Sequence, residues 1–254
     1  MKIQLVRHAT LFLEVNDQRI LVDPMLSPAG ALDPAANAEN SRRNPLVELP
    51  ENVPALTGLD AVIVTHTHRD HWDRAAAEQL PKSTPIFCQP EDERSISDLG
   101  FGNVQSVDDS EIWRGIRLTR TQGRHGRGEM AQRMGPVSGF ILETETEPAL
   151  YLAGDSVWCP EMEEALSTYK PQVTIVNAGA AQFLTGGPIT MNGQDIAQVF
   201  GISPETRVIA VHMEAWNHCL LTRHELRQYV QDQGIAHRVH IPEDGEWMEY
   251  LRNV

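Results

Sequence analysis

His66, His68, Asp70 and His71 fall within six residues, in the order H-x-H-x-D-H. Imidazole nitrogen and carboxylate oxygen are donors that zinc takes, and that iron and manganese also accept. Only ten histidines are spread through 254 residues, so a cluster this dense marks a metal site rather than a solvated polar loop. It directly follows the apolar run Ala61-Val62-Ile63-Val64, long enough for a buried strand and too short for a helix. A strand that ends in a tight, ligand-rich loop aims its donors at one point.

Four donors in one loop cannot all reach a single ion, so partners are expected at other strand ends. His125 follows the strand-like Ile116–Thr121 and is flanked by Gly123 and Gly126, which let backbone approach closely. Asp155 ends Tyr151-Leu152-Ala153, and a carboxylate there can bridge two ions with one oxygen each. His212 follows Val208–Val211, and His218 lies six residues further on, where it either meets a substrate or packs at the surface. Asp23, before Pro24, either accepts the free N–H of a ligating histidine or ends a strand in a turn. His8 either faces the pocket or packs beneath it.

The elements that must position these groups follow from periodicity and turn residues. Lys2–Val6, Leu11–Val15 and Arg19–Val22 read as a strand meander, with Asn16-Asp17 as its hairpin turn. Residues 24–58 are rich in Pro, Ala and Asn with little periodicity, which predicts a functional loop, either a lid or an active-site rim. Downstream, helices are predicted at 73–80 and 91–99, and strands at 84–88, 103–107, 111–113 and 116–121. A Gly- and Arg-rich loop then spans 122–135, with strands at 137–143 and 149–152. The second half alternates: helices at 161–169, 193–200 and 224–232, strands at 172–176 and 208–211, and a last strand at 246–251. Strands first, then alternation, predict two packed sheets with helices outside, in one domain over residues 1–254.

Composition narrows the function classes. Lys plus Arg number 21 against 35 Asp plus Glu, a formal charge of −14. That balance works against nucleic acid and anionic membranes as partners. Arg42-Arg43 and Arg120 through Arg127 are the only candidate basic patches. Three cysteines without CxxC spacing predict reduced thiols in the cytoplasm. No signal peptide and no membrane span is read in the sequence. A small-molecule substrate is the expected partner, and a homo-oligomer is compatible with the composition.

The order H-x-H-x-D-H, His125, Asp155, His212 resembles the ligand set of the metallo-β-lactamase superfamily over nearly the whole chain. Arg7-His8-Ala9-Thr10 and Leu21-Val22-Asp23-Pro24 resemble its branch of ascorbate-6-phosphate lactonase-like hydrolases. The resemblance implies an α+β, four-layer αββα sandwich with its site at one edge of the sheets. It also implies that His66, His68 and His125 hold one ion, Asp70, His71 and His212 a second, and that Asp155 bridges them. Asp155 stands where some true β-lactamases carry a cysteine ligand, which favours general hydrolysis over antibiotic cleavage.

The reaction expected is hydrolysis of a small ester, lactone or phosphodiester by a hydroxide shared between two divalent ions, zinc first and manganese or iron as alternatives. Asp70 is expected to steady the hydroxide proton, and His218 to protonate the leaving group. The alternatives are an RNA- or DNA-processing nuclease of the same fold and a non-catalytic metal-binding protein.

Overall fold

In the computed structural model, which describes residues 1–251, two seven-stranded sheets lie face to face with helices on both outer sides. The first half of the chain supplies β1 (Lys2–Arg7), β2 (Thr10–Val15), β3 (Gln18–Val22), β4 (Ala61–Val64), α1 (Arg74–Gln79), β5 (Ile86–Cys88), α2 (Pro90–Ser97) and β6 (Val104–Ser106). There follow β7 (Ser110–Trp113), β8 (Ile116–Gln122), α3 (Glu129–Met134), β9 (Ser138–Glu143), β10 (Leu150–Leu152), α4 (Pro160–Tyr169) and β11 (Val173–Asn177). The chain closes with α5 (Gly193–Ile202), β12 (Arg207–Val211), α6 (Arg223–Asp232), β13 (Val239–His240) and β14 (Trp247–Glu249). No helix among the described residues is long and apolar enough to cross a membrane.

The first sheet runs β14-β1-β2-β3-β4-β5-β6 and the second β13-β12-β11-β10-β9-β8-β7. Both share one pattern: an antiparallel meander feeds a parallel half, through β3–β6 in one sheet and β10–β13 in the other. The Asn16-Asp17 hairpin closes with φ of 50° and 60°, the doubly left-handed turn that suits strand twist and that Asn and Asp tolerate.

Period-two alternation explains why the strands are apolar almost throughout. Along β2, β3 and β4, Leu13, Ile20 and Ile63 enter the core between the sheets, while their neighbours Phe12, Leu21 and Val62 pack beneath the helices of the first half. The second sheet repeats this, with Leu142, Ile175 and Ile209 inward and Ile141, Val176 and Val208 toward α4, α5 and α6. Strands covered on both faces have no solvent side to make polar.

The predicted elements recur with small boundary shifts, and Asp73 caps α1 by accepting from Ala76 N at 2.7 Å. Three short elements depart from the sequence reading, among them a 3₁₀ turn at Ala236–Arg238. The stretch 122–135, expected to be loop throughout, contains α3, six residues between Gly128 and Gly135, both at positive φ. Six residues are too few to display a helical period, and burial of Met130 against Ala181 and Ile189 holds the helix in place. The two-residue β13 is likewise too short to leave a signal.

At the carboxyl ends of the parallel strands the two sheets are tied together. Ser138 N donates to Thr65 O at 3.4 Å, and His212 N donates to His8 O at 2.8 Å. Gly154 turns with φ +65°, and a Cβ there would stand 2.6 Å from Ser138 O. Gly154→Ala should therefore lower unfolding stability by about 1–3 kcal/mol, read as a reduced denaturation midpoint. An unchanged midpoint would show that this turn relaxes freely.

Candidate metal centre

Five strand ends converge on one buried point at that edge. β4 delivers the motif, which folds back on itself because His71 N and Trp72 N both donate to His68 O, at 2.9 and 2.8 Å. That turn points His66, His68, Asp70 and His71 inward together. His125 follows β8, Asp155 follows β10, His212 follows β12 and His8 follows β1. All are buried except His68, which is half-buried. His8, Asp23 and His212 hold left-handed backbone, with φ of 61°, 44° and 66°. Such conformations are uncommon outside glycine, and they persist where surrounding structure imposes them.

The donors fall into two groups that meet at Asp155. Its Oδ1 lies 3.3 Å from both His71 Nε2 and His212 Nε2. Its Oδ2 lies 3.3 Å from His125 Nε2 and 3.9 Å from His66 Nε2. Asp70 Oδ2 completes the first group, 3.4 Å from His212 Nε2 and 3.9 Å from His71 Nε2. His68 completes the second, its donor within 4.8 Å of those of His66 and His125. Donors bound at about 2.0–2.1 Å to a tetrahedral ion stand about 3.3–3.4 Å apart, the spacing of His71, His212 and His125 from Asp155 and of His212 from Asp70.

Hydrogen bonding on the far side of each ring decides which nitrogen faces the centre. His125 Nδ1 donates to Ile189 O at 2.9 Å, so a bare Nε2 lone pair meets the Asp155 carboxylate. His71 Nδ1 donates to Asp23 Oδ2 at 2.8 Å, leaving its Nε2 to face His212 Nε2 at 3.3 Å. Asp23 also accepts from Thr65 N and Thr65 Oγ1, each at 2.7 Å, and Thr65 Oγ1 lies 3.1 Å from His66 Nδ1. The Asp23 carboxylate thus orients His71 directly and His66 through Thr65, the outer-shell role considered for it from sequence. His66 Nε2 is buried with no partner. Acceptors turned toward one another and an orphaned buried nitrogen call for positive charge between them, from protons or from metal cations. The residues fit a pair of divalent ions.

Charge states follow the same geometry. Burial pushes His66 and His125 down. Burial alone would raise Asp155 and Asp70, but the surrounding histidines hold both well below the usual carboxylate range. Burial also opposes charge on His71, yet Asp155, Asp23 and Asp70 outweigh it and raise the ring to about 10. A metal-free site therefore keeps a proton on His71 in place of a metal ion.

Beside these groups opens a cavity of about 720 Å³. His68 and Asp70 border it, together with Met130 and Met134 of α3, Phe183, Leu184, Trp216 and His218. His218 is buried rather than at the surface; burial pushes it down to about 4, and its Nδ1 has no partner. The 24–58 loop forms a rim, contributing Ala35, Ala36 and Asn37 to the wall. Asn217 clamps that rim by donating to Asn40 O at 2.8 Å and accepting from Ala35 N at 2.8 Å. Arg7, fully buried, donates to Met25 O, Ser27 O and Val47 O at 2.8–2.9 Å. Sequence reasoning missed Asn217, Arg7 and the wall residues of α3 and 183–184, which no spacing connects. Cys219 Sγ stands 3.5 Å from His212 Nδ1, and Cys159 is buried at the N-cap position of α4.

Loading with metal must expel the proton from His71. Zinc titrated calorimetrically into the metal-free chain at pH 7–8, in buffers of different ionisation enthalpy, should release about one proton or more per chain. The apparent affinity should fall as pH drops below about 10, where His71 becomes protonated in the metal-free site. Release of no protons would contradict this account. Without metal, the His71 charge stabilises the fold fully below the unfolded value of about 6.5 and ceases to do so as pH rises through about 10.

The profile of the beta-lactamase superfamily domain matches residues 18–213. UPF0173 protein YddR of Bacillus subtilis is 39% identical over 252 residues, covering 97% of this chain and 98% of its own. The structure of an isothiocyanate hydrolase from Delia radicum gut bacteria is 36% identical with a TM-score of 0.94, covering 99% of this chain and 100% of that one. A structure from Veillonella parvula, described as a possible metal-dependent hydrolase, is 36% identical with a TM-score of 0.93 and covers 98% of both chains. With its αββα layers and paired His/Asp clusters, the chain belongs to the metallo-β-lactamase superfamily, within the UPF0173 family of metal-dependent hydrolases.

Proposed function

We propose that this hydrolase acts on a small molecule in which an electrophilic carbon adjoins an apolar group, with isothiocyanates the leading substrate class. The observation that carries this reading is the wall of Met130, Met134, Phe183, Leu184 and Trp216 around a cavity bordered by His68 and Asp70. An apolar wall suits an apolar substituent. Similarity over the full chain to an isothiocyanate hydrolase supports the same class. The net charge of −14 favours a small molecule over nucleic acid.

His66, His68 and His125 would hold one ion and Asp70, His71 and His212 the second, with Asp155 shared between them. When bound, two divalent ions, zinc first, supply a water acidified toward neutrality and a Lewis acid for the atom that gains charge. Asp70 borders the cavity and holds the attacking water's remaining proton. The apolar wall holds the substituent and keeps bulk water away from the reacting carbon. His218, neutral and within the cavity wall, hydrogen bonds the leaving nitrogen as it takes up a proton. For R–N=C=S, a C–O bond forms and the C–N bond breaks. Both protons of the water end on nitrogen, and the products are an amine and carbonyl sulfide, without oxidation or reduction.

A panel of an aryl isothiocyanate, an aryl ester, a lactone and a phosphodiester tests the assignment, with amine and carbonyl sulfide measured for the first. Turnover of the isothiocyanate above the other three is expected. Preference for the lactone or ester would return the chain to the lactonase-like reading, and preference for the phosphodiester to the nuclease reading.

Elemental analysis of the loaded protein should find about two ions per chain, and Asp155→Ala should lower both occupancies. One tightly held ion, indifferent to Asp155→Ala, would defeat the bridged pair. His218→Ala should keep both ions while turnover falls by roughly 10²-fold. Activity within a few-fold of the parent would reduce His218 to a wall residue, and loss of metal would make it a ligand.

A further inference from the structure

His8 lies outside the ligand set carried by the superfamily resemblance, yet it is wholly buried against the donors Asp70, His71 and His212. Its Nε2 stands 3.3 Å from Asp70 Oδ2, the carboxylate oxygen that also faces His212 and His71. Its ring covers His212 at 3.7 Å between centroids and 36° between planes, with Trp216 on a 6.0 Å stack. Its carbonyl receives His212 N at 2.8 Å. One residue thus frames two of the three groups assigned to the second ion.

Two roles are open to such a ring, and its far side separates them. A ligating histidine hands its other N–H to an acceptor. His71 does so to Asp23, His125 to Ile189 O, His66 to Thr65 Oγ1, and His212 has Cys219 Sγ in reach. His8 Nδ1 is buried with no partner. Binding a metal through Nε2 would put the proton on Nδ1, a buried donor with nothing to receive it, costing about 1–3 kcal/mol. With the proton on Nε2, Asp70 receives it, and only a bare lone pair is left unmatched on Nδ1. Left-handed backbone at His8, φ 61°, holds the ring in this place.

We propose that His8 is a positioning residue for the second ion: its Nε2–H donates to Asp70 Oδ2 and fixes that carboxylate against His212, without itself ligating. This rests on the assignment of Asp70, His71 and His212 to a second ion.

The test compares His8→Phe, which fills the space without an N–H, with His8→Gln, which carries a donor to a similar reach. Zinc is titrated against a chelator on the full-length chain, and histidine nitrogens around zinc are counted by X-ray absorption. His8→Phe should weaken the second ion about 10–100-fold, spare the first, and leave the nitrogen count per filled site unchanged; His8→Gln should recover most of the loss. In the loaded parent, long-range ¹H–¹⁵N spectra should show His8 as the Nε2–H tautomer, a measurement that stands even if His8→Phe fails to fold. Unchanged second-ion affinity in His8→Phe would leave a packing role only. A metal-shifted Nε2, or a nitrogen lost from the shell without recovery in His8→Gln, would make His8 a ligand. A parent that binds one ion defeats the two-ion reading and His8 with it, whereas a parent that binds two and is matched by His8→Phe defeats His8 alone.

Discussion

A carboxylate withdrawn from water, with histidine nitrogens 3.3 Å from each of its oxygens, needs positive charge on both sides at once. Asp155 is in that position, and Asn177 Nδ2 holds its Oδ1 at 2.6 Å from the end of the neighbouring strand β11. Asp155 stands where the two histidine groups meet, beside the direct packing of His66 on His71 at 4.2 Å between ring centroids. Without cations the balance is met by a proton on His71; with them, the carboxylate would be shared between the two clusters. Much of the surrounding structure serves to hold that oxygen pair and its four histidine nitrogens at fixed spacing.

The architecture supplies rigidity where this is needed. Each sheet changes from a meander to parallel strands, and the carboxyl ends of the parallel halves meet at one edge. Ligand sites gather at such strand ends in α/β sheets because the loops there diverge from a fixed frame. Here the frame is doubled, and inter-sheet backbone bonds at Thr65 and His8 stop the halves from sliding. Left-handed turns at His8, Asp23 and His212 redirect the chain immediately after its strands, which brings side chains from opposite sheets within contact. Asp23 shows the economy of the arrangement: one carboxylate orients histidines at both positions of the motif's inward face.

The cavity beside the centre is built from different material. The wall of the cavity comes from α3, the 183–185 segment, the rim loop and Trp216, none of which is a sheet strand. The rim loop is held by polar anchors, Asn217 and Arg7, and Arg7 satisfies the Met25 and Ser27 carbonyls that would otherwise be buried without partners. A family of this kind can keep its centre and vary its substrate by changing the loops.

The sequence by itself determined the layers and the donors. H-x-H-x-D-H, the strand-ending His125, Asp155 and His212, and the doubly covered apolar strands are local signals, each legible within a few residues. The orienting role of Asp23 was half legible, because an Asp-Pro turn has two meanings until the residue it touches is known. What only tertiary structure decided lies in groups brought together from distant segments. Asn217 reaches Ala35 across 182 positions and His8 reaches Asp70 across 62, with no spacing or period to link them. Helix α3 escaped because six residues cannot show periodicity and its stability comes from Met130 burying against the 181–189 segment. Donor chemistry is a property of residue type and so can be read along the chain; which nitrogen faces the centre, and what walls it in, depends on packing between segments that the chain order keeps apart.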